Sequence, residues 1–188
     1  MLAIFKREFK SYFQNVIGWL FVAALLAVYG LYFYVYNLKN GYPYISYDLK
    51  GIGFIMMIAV PILTMRSLSD ERKTKTDQLM LTSPVSVGKI VAGKYFAMAA
   101  VYTIDIAIFA LSPLVLSIYG KVALSEAYVA LFGYWLYGLS CIAVGLFISS
   151  ISESVIISAI LTFAALFLSY MMQSITGLIS SSGNLLTK

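Results

Sequence analysis

Few side chains in this chain can do chemistry, and that narrows its possible functions. There is no histidine and one cysteine, Cys141, set in an apolar run. Disulfide frameworks and Cys/His metal centres are therefore excluded by count. The one acid deep inside a long apolar stretch is Asp105. If that stretch crosses a bilayer, a carboxylate there costs about 2.5–3.5 kcal/mol, so it must face protein or water. Tyr102, one helical turn earlier, is spaced to share its proton or a hydrogen bond. The sharp reading of Asp105 is a proton or substrate site; the plain one is a protonated or hydrogen-bonded packing residue. With no histidine and no second acid at depth, a hydrolytic site cannot be assembled within the membrane.

The other concentration of polar chemistry is Arg66 to Ser86. It sets Arg66, Arg72, Lys73 and Lys75 against Asp70, Glu71 and Asp77, and then turns apolar at Leu79-Met-Leu81. Ser69 to Thr76 reads as a helical continuation of the preceding apolar run. Asp77 to Thr82 reads as a short amphipathic helix ended by Ser83-Pro84, because the residue before proline avoids helical geometry. Ser86 suits the N-cap of the next helix. A short helix exposing Leu79, Met80 and Leu81 between charges fits a groove on a soluble partner. Resting on the membrane surface is the alternative.

These segments hang on long apolar elements. Hydrophobic residues make up 61% of the 188, and charged residues only 11%, where soluble domains average about 25%. Bilayer lipid is the natural solvent, and the runs are too long for β-barrel strands of about ten residues. The expected fold is an all-α polytopic integral membrane protein forming one transmembrane domain. Five spans are expected, at 16–36, 47–66, 95–118, 128–148 and 154–172, with 67–92 as a polar connection. Before them, 1–14 reads as an amphipathic helix lying in the lipid interface. Leu2, Phe5, Phe9, Tyr12 and Phe13 fall on one face, and Lys6, Arg7, Lys10 and Gln14 on the other. The second span is short, since only Gly51 to Met65 separates Lys50 from Arg66. Extended back to Tyr47, it brings Asp48 and Lys50 into the interface, and Pro61 kinks its far end.

Counting Lys and Arg orients the chain. With the N-terminus inside, nine lie on the inner side; Lys39, Lys50, Lys121 and Lys188 lie outside. That asymmetry favours a cytoplasmic N-terminus. It also accounts for the net charge of +5 without nucleic acid. Gly138, Cys141, Gly145 and Ser149 form a stripe on which a neighbouring helix can approach closely, so Cys141 reads as a packing residue. The 15 tyrosines fall mostly near span ends and read as interfacial anchors.

Pro61-Ile-Leu-Thr-Met-Arg66, Asp70-Glu-Arg-Lys-Thr-Lys-Thr-Asp-Gln-Leu-Met-Leu-Thr-Ser-Pro-Val-Ser86 and Gly93-Lys-Tyr95 together resemble the permease subunit of ABC-2 type transporters. The gliding-motility and multidrug-export permeases are the closest group. Phe9-Lys-Ser-Tyr-Phe13, and Gly145-Leu-Phe-Ile-Ser-Ser150 followed by Glu153, are similar too, so the resemblance covers nearly the whole chain. Lys75 and Gln78 depart from it, standing where the family usually has Gly and Glu. The family has six spans, so the resemblance implies that a sixth is missing here.

The resemblance also implies a function: the membrane-spanning subunit of an ABC-type exporter in the plasma membrane. A separate ABC ATPase subunit would bind ATP and Mg, and a second permease copy, identical or homologous, would complete the pathway. The connection after the second span would carry the helix that docks on the ATPase, with Glu71, Arg72, Thr76, Leu79, Met80, Leu81 and Thr82 as contacts. Ser150, Ser152 and Glu153 would form a second contact on the same side; a plain helical hairpin is the alternative there. This chain carries no cofactor and no P-loop, since Gly88-Lys89 runs into Ile90 and Gly93-Lys94 into Tyr95. It therefore reads as non-catalytic. Two other functions remain open from the residues alone. One is an ATP-independent, ion-coupled carrier or channel using Asp105. The other is a non-transporting membrane scaffold or immunity protein.

Overall fold

The computed structural model describes residues 2–73, 86–119 and 122–185, with side chains over 2–72, 86–118 and 122–172. The described residues form helices joined by short turns, with no strand among them. α1 is Leu2–Gln14. α2, Val16–Phe33, runs on into a π-helical turn, Tyr34–Lys39. α3 is Ser46–Thr64 and α4 is Ser69–Lys73. α5 is Val87–Phe109 and α6 is Ser112–Tyr119. α7 is Leu124–Ile151 and α8 is Val155–Leu185. Five helical stretches are long and apolar enough to cross a membrane: Val16–Lys39, Ser46–Arg72, Val87–Ile118, Leu124–Ile151 and Val155–Met172. The chain is a multi-pass membrane protein.

α3 is the central element. It packs against α2, α7 and α8, and half of its apolar window is buried against 17% for α8. A helix enclosed by protein can carry polar residues that a lipid-facing one cannot. Asp48, expected in the interface, is instead fully buried and hydrogen-bonded to Asn37 in the π-helical turn. The wider π register leaves a turn that closes through the Tyr42 N–H to the Tyr36 carbonyl, 3.1 Å. Gly41, at φ +69°, supplies the left-handed residue this turn needs.

Helix breaks follow from proline and from hydroxyl groups beside it. Pro61 is buried within α3 and withholds an N–H from the Met57 carbonyl. One turn later the Thr64 hydroxyl bonds back to the Val60 carbonyl at 3.0 Å, and the helix gives way to a turn before α4. The third span was expected over 95–118. It starts at Val87 and breaks at Ala110–Leu111 before α6. Pro113 causes the break: it has no N–H for the carbonyl of Phe109. The Ser112 hydroxyl takes that carbonyl instead, at 2.7 Å, and also meets the Tyr29 hydroxyl of α2. Ser86 has the extended N-cap backbone expected of it, φ −63° and ψ 139°, but its side chain makes no capping bond. α8 continues to Leu185, past the expected limit at 172.

The small-residue stripe serves two neighbours rather than one. A Cβ at Gly138 would collide with the Tyr102 ring of α5, and one at Gly145 with the Thr64 side chain of α3. α7 is thus wedged against both α5 and α3, and Cys141 between these points is buried and unoxidised. Gly138→Ala should lower thermal stability in detergent by about 1–3 kcal/mol through overpacking. Combining it with Tyr102→Ala should recover part of that loss relative to Tyr102→Ala alone. Additive effects in scanning fluorimetry would contradict the close approach.

Candidate functional site

A cluster of polar groups lies at one end of the bundle, where α1 crosses the start of α5. Lys94 lies two turns into α5 and is only 2% exposed. Its Nζ donates to the Ser67 carbonyl at 2.8 Å and to Glu71 Oε1 at 2.8 Å, and lies 3.5 Å from Glu8 Oε1. Three elements therefore meet at one ammonium: α1 through Glu8, the turn after α3 through Ser67, and α4 through Glu71. A buried cation is tolerated only when its desolvation is offset by this kind of pairing. The backbone carbonyl is presented because α3 has already broken into a turn. Next to Lys94, Gly93 lets α1 approach, since a Cβ there would stand 2.9 Å from Ile4 Cγ2.

α1 is also fixed one turn further along the face that carries Glu8. The Tyr12 hydroxyl reaches the Leu63 carbonyl at 3.4 Å. Burial, and then the nearby Glu8 carboxylate, push its ionisation well above the ordinary tyrosine range, so it stays a donor. The Trp19 indole N–H of α2 donates to the Phe13 carbonyl at 2.9 Å, closing the bend at Asn15. Arg7, Glu8, Tyr12, Arg66, Asp70 and Glu71 line a polar cleft of about 430 Å³ beside Lys94.

A second junction joins the two polar connections. The backbone N–H groups of Leu68 and Ser69 both donate to Ser149 Oγ at 3.2 Å. The Ser69 hydroxyl lies 3.2 Å from the Ser149 carbonyl and 3.0 Å from its hydroxyl. The Arg72 guanidinium donates to the Ile151 carbonyl at 3.3 Å. These bonds tie the first turn of α4 to the last turns of α7, directly before the Ser152–Ser154 hairpin.

The expected residues fall as follows. Glu71 and Arg72 are both in this region: Glu71 on Lys94, and Arg72 on the end of α7. Thr76, Leu79, Met80, Leu81 and Thr82 lie outside the described residues. Ser150 and Ser152 turn back on their own backbone, to the Phe147 carbonyl at 2.6 Å and the Ser154 carbonyl at 3.1 Å, while Glu153 is exposed. Tyr102 and Asp105 are not hydrogen-bonded to each other. The Tyr102 hydroxyl is spent on the Tyr134 carbonyl at 2.8 Å, across the gap that Gly138 leaves open. Asp105 is fully buried, and neither carboxylate oxygen has a hydrogen-bond partner among the described residues. Tyr29, Tyr102 and Tyr134 are core residues rather than interfacial anchors.

Sequence reasoning did not single out Glu8, Tyr12, Ser67, Ser69 or Lys94 as functional. A usable signal existed only for Lys94, a cation that the helix starting at Val87 carries inward. A further cavity of about 780 Å³ opens between α3, α7 and α8, with Lys50, Ser140, Tyr134, Tyr137 and Tyr170 among an otherwise largely apolar lining.

The arrangement defines a class: a helical membrane protein whose two polar connections are bonded into one structure at one end of its spans. The profile of the family described as ABC-2 family transporter protein matches residues 10–186. The chain belongs to that family. Membership implies an ABC ATPase as partner, with the membrane subunit itself typically non-catalytic. No curated protein and no solved structure matches the chain.

Ser149→Val should strand the buried N–H groups of Leu68 and Ser69, costing about 1–3 kcal/mol. Hydrogen exchange should then accelerate locally over 66–73. Unchanged protection there would show that the junction carries no stability.

Proposed function

We propose that this chain is the permease subunit of an ABC exporter in the plasma membrane, with its N-terminus cytoplasmic. Two copies, or one copy with a homologous partner, form the pathway, and a separate ATPase binds ATP and Mg below them. The ATPase grips the connection that follows α4, through Leu79, Met80 and Leu81. Nucleotide binding displaces that connection, and the displacement reaches the spans. The observation that carries this reading is the bonded junction of Ser69 and Arg72 with Ser149 and Ile151. It makes the two polar connections one surface, which suits docking on a single soluble partner. The positive charge gathered on the same side as α1 supports the orientation.

The ion-coupled reading has one observation in its favour, the unpartnered carboxylate of Asp105. A buried acid without a partner is unfavourable unless protonated or engaged by something further. The two readings separate cleanly. Purification from the native membrane in mild detergent should bring down a P-loop ATPase in stoichiometric amount. Replacing Asp77 to Thr82 by a Gly/Ser linker should abolish that association, while Asp105→Asn leaves it and ATP-driven flux intact. A chain that purifies alone with or without the linker, and loses flux in Asp105→Asn, would overturn the exporter reading.

A further inference from the structure

We propose that Lys94 is the positioning residue that locks the interfacial helix α1 to α4, so that both move with α5 as one body. The inference rests on the exporter reading for its functional consequence, but not for its structural content.

The contacts make Lys94 a three-way clamp. Its ammonium has three hydrogens, and three acceptors face it from three elements: Ser67 O, Glu71 Oε1 and Glu8 Oε1. It is almost wholly buried, whereas Arg7, the other cation on Glu8, is 58% exposed in its side chain. The Arg7 pair is therefore solvent-screened and contributes little. The Lys94 pairs sit in a drier setting, where removing one partner leaves an uncompensated charge. Directly beside it, Gly93 brings α1 onto α5 with no room for a side chain. Packing and ion pairing at adjacent residues thus fix the same two helices.

The mechanical consequence follows from connectivity. α4 continues α3 through a single turn, and α1 continues into α2 through the bend at Asn15. Without Lys94, a displacement applied beyond α4 would still reach α7 through Ser149 and Arg72, but not α5 or α1. With it, the displacement is delivered to α5 and to α1, and through Asn15 to the first span. Lys94 touches no cargo and no nucleotide; it determines which spans receive the motion.

The site asks for a cationic multiple donor. Lys94→Arg should keep most of the coupling, Lys94→Gln less and Lys94→Met least. In the reconstituted complex, Lys94→Met should leave ATPase association unchanged and lower flux per ATP hydrolysed by roughly fivefold. Glu71→Gln should cause less further loss in Lys94→Met than it causes in the wild type, because part of its effect runs through their shared contact. On the purified protein, hydrogen exchange over α1 should rise by roughly tenfold or more in Lys94→Met. It should not rise in Lys10→Met, a loss of an exposed cation from α1 itself. If Lys94→Met does not accumulate, Lys94→Gln and Glu8→Gln take its place in both measurements. Unchanged exchange over α1 overturns the clamp. Loosened α1 with normal flux per ATP overturns its role in coupling. A wild-type chain with no ATP-dependent flux would instead sink the exporter reading, and the exchange result would still decide the clamp.

Discussion

Hydrocarbon offers no hydrogen-bond partners, and the rest of this structure depends on that constraint. Several polar groups carried into the spans are answered by another part of the same protein, while others, Asp105 among them, have no hydrogen-bond partner among the described residues. The Ser112 hydroxyl takes the carbonyl that Pro113 frees. Asn37 meets Asp48, and the Tyr102 hydroxyl meets the Tyr134 carbonyl. Each of these bonds satisfies a group that its own helix does not, and two of them join different spans. In water such bonds would be nearly interchangeable with solvent contacts; here they fix which helices are neighbours and at what register.

The same constraint explains why the polar chemistry gathers at one end. A lysine two turns inside a helix must either reach outward to headgroups or be met by acceptors brought to it. Lys94 is met. The acceptors arrive because α3 breaks before its exit from the bundle, exposing the Ser67 carbonyl, and because Gly93 lets α1 lie close enough for Glu8 to contribute. Breaks in α3 and the closeness of α1 are thus conditions for the cluster, and the cluster in turn holds both in place.

The all-helical, multi-pass architecture and the family were legible in the sequence, because apolar run length and one polar connection carry them almost alone. The amphipathic N-terminal segment was legible for the same reason: its face pattern is local. What was not legible depended on pairing between elements. Asp48 reads as an interfacial residue until Asn37 is seen opposite it. Tyr102 reads as a partner for Asp105, yet its hydroxyl goes to the Tyr134 carbonyl across the gap at Gly138. The stripe on α7 announces close approach, but not that its upper and lower halves meet different helices. Ser149, counted there only as a small residue, is the acceptor for two backbone N–H groups.

These features set a mechanical division of labour within the fold. At depth, α7 is wedged between α5 and α3 by direct contact at Gly138 and Gly145, with no slack for independent sliding. At the α1 end, the same helices are joined by hydrogen bonds and ion pairs, which exchange partners more readily than packed surfaces do. A force applied at that end therefore meets a rigid lever arm above and a rearrangeable joint below. Such a joint can switch between discrete arrangements while the packed spans rotate as blocks, which is how small displacements at one site become large ones elsewhere. The turn between α3 and α4 would be the weak point of this joint, and Lys94 and Ser149 brace it. Its backbone groups bond to Ser149 and Lys94 rather than to the helical ladder, so a displacement reaching it passes to α7 and α5 instead of being absorbed there.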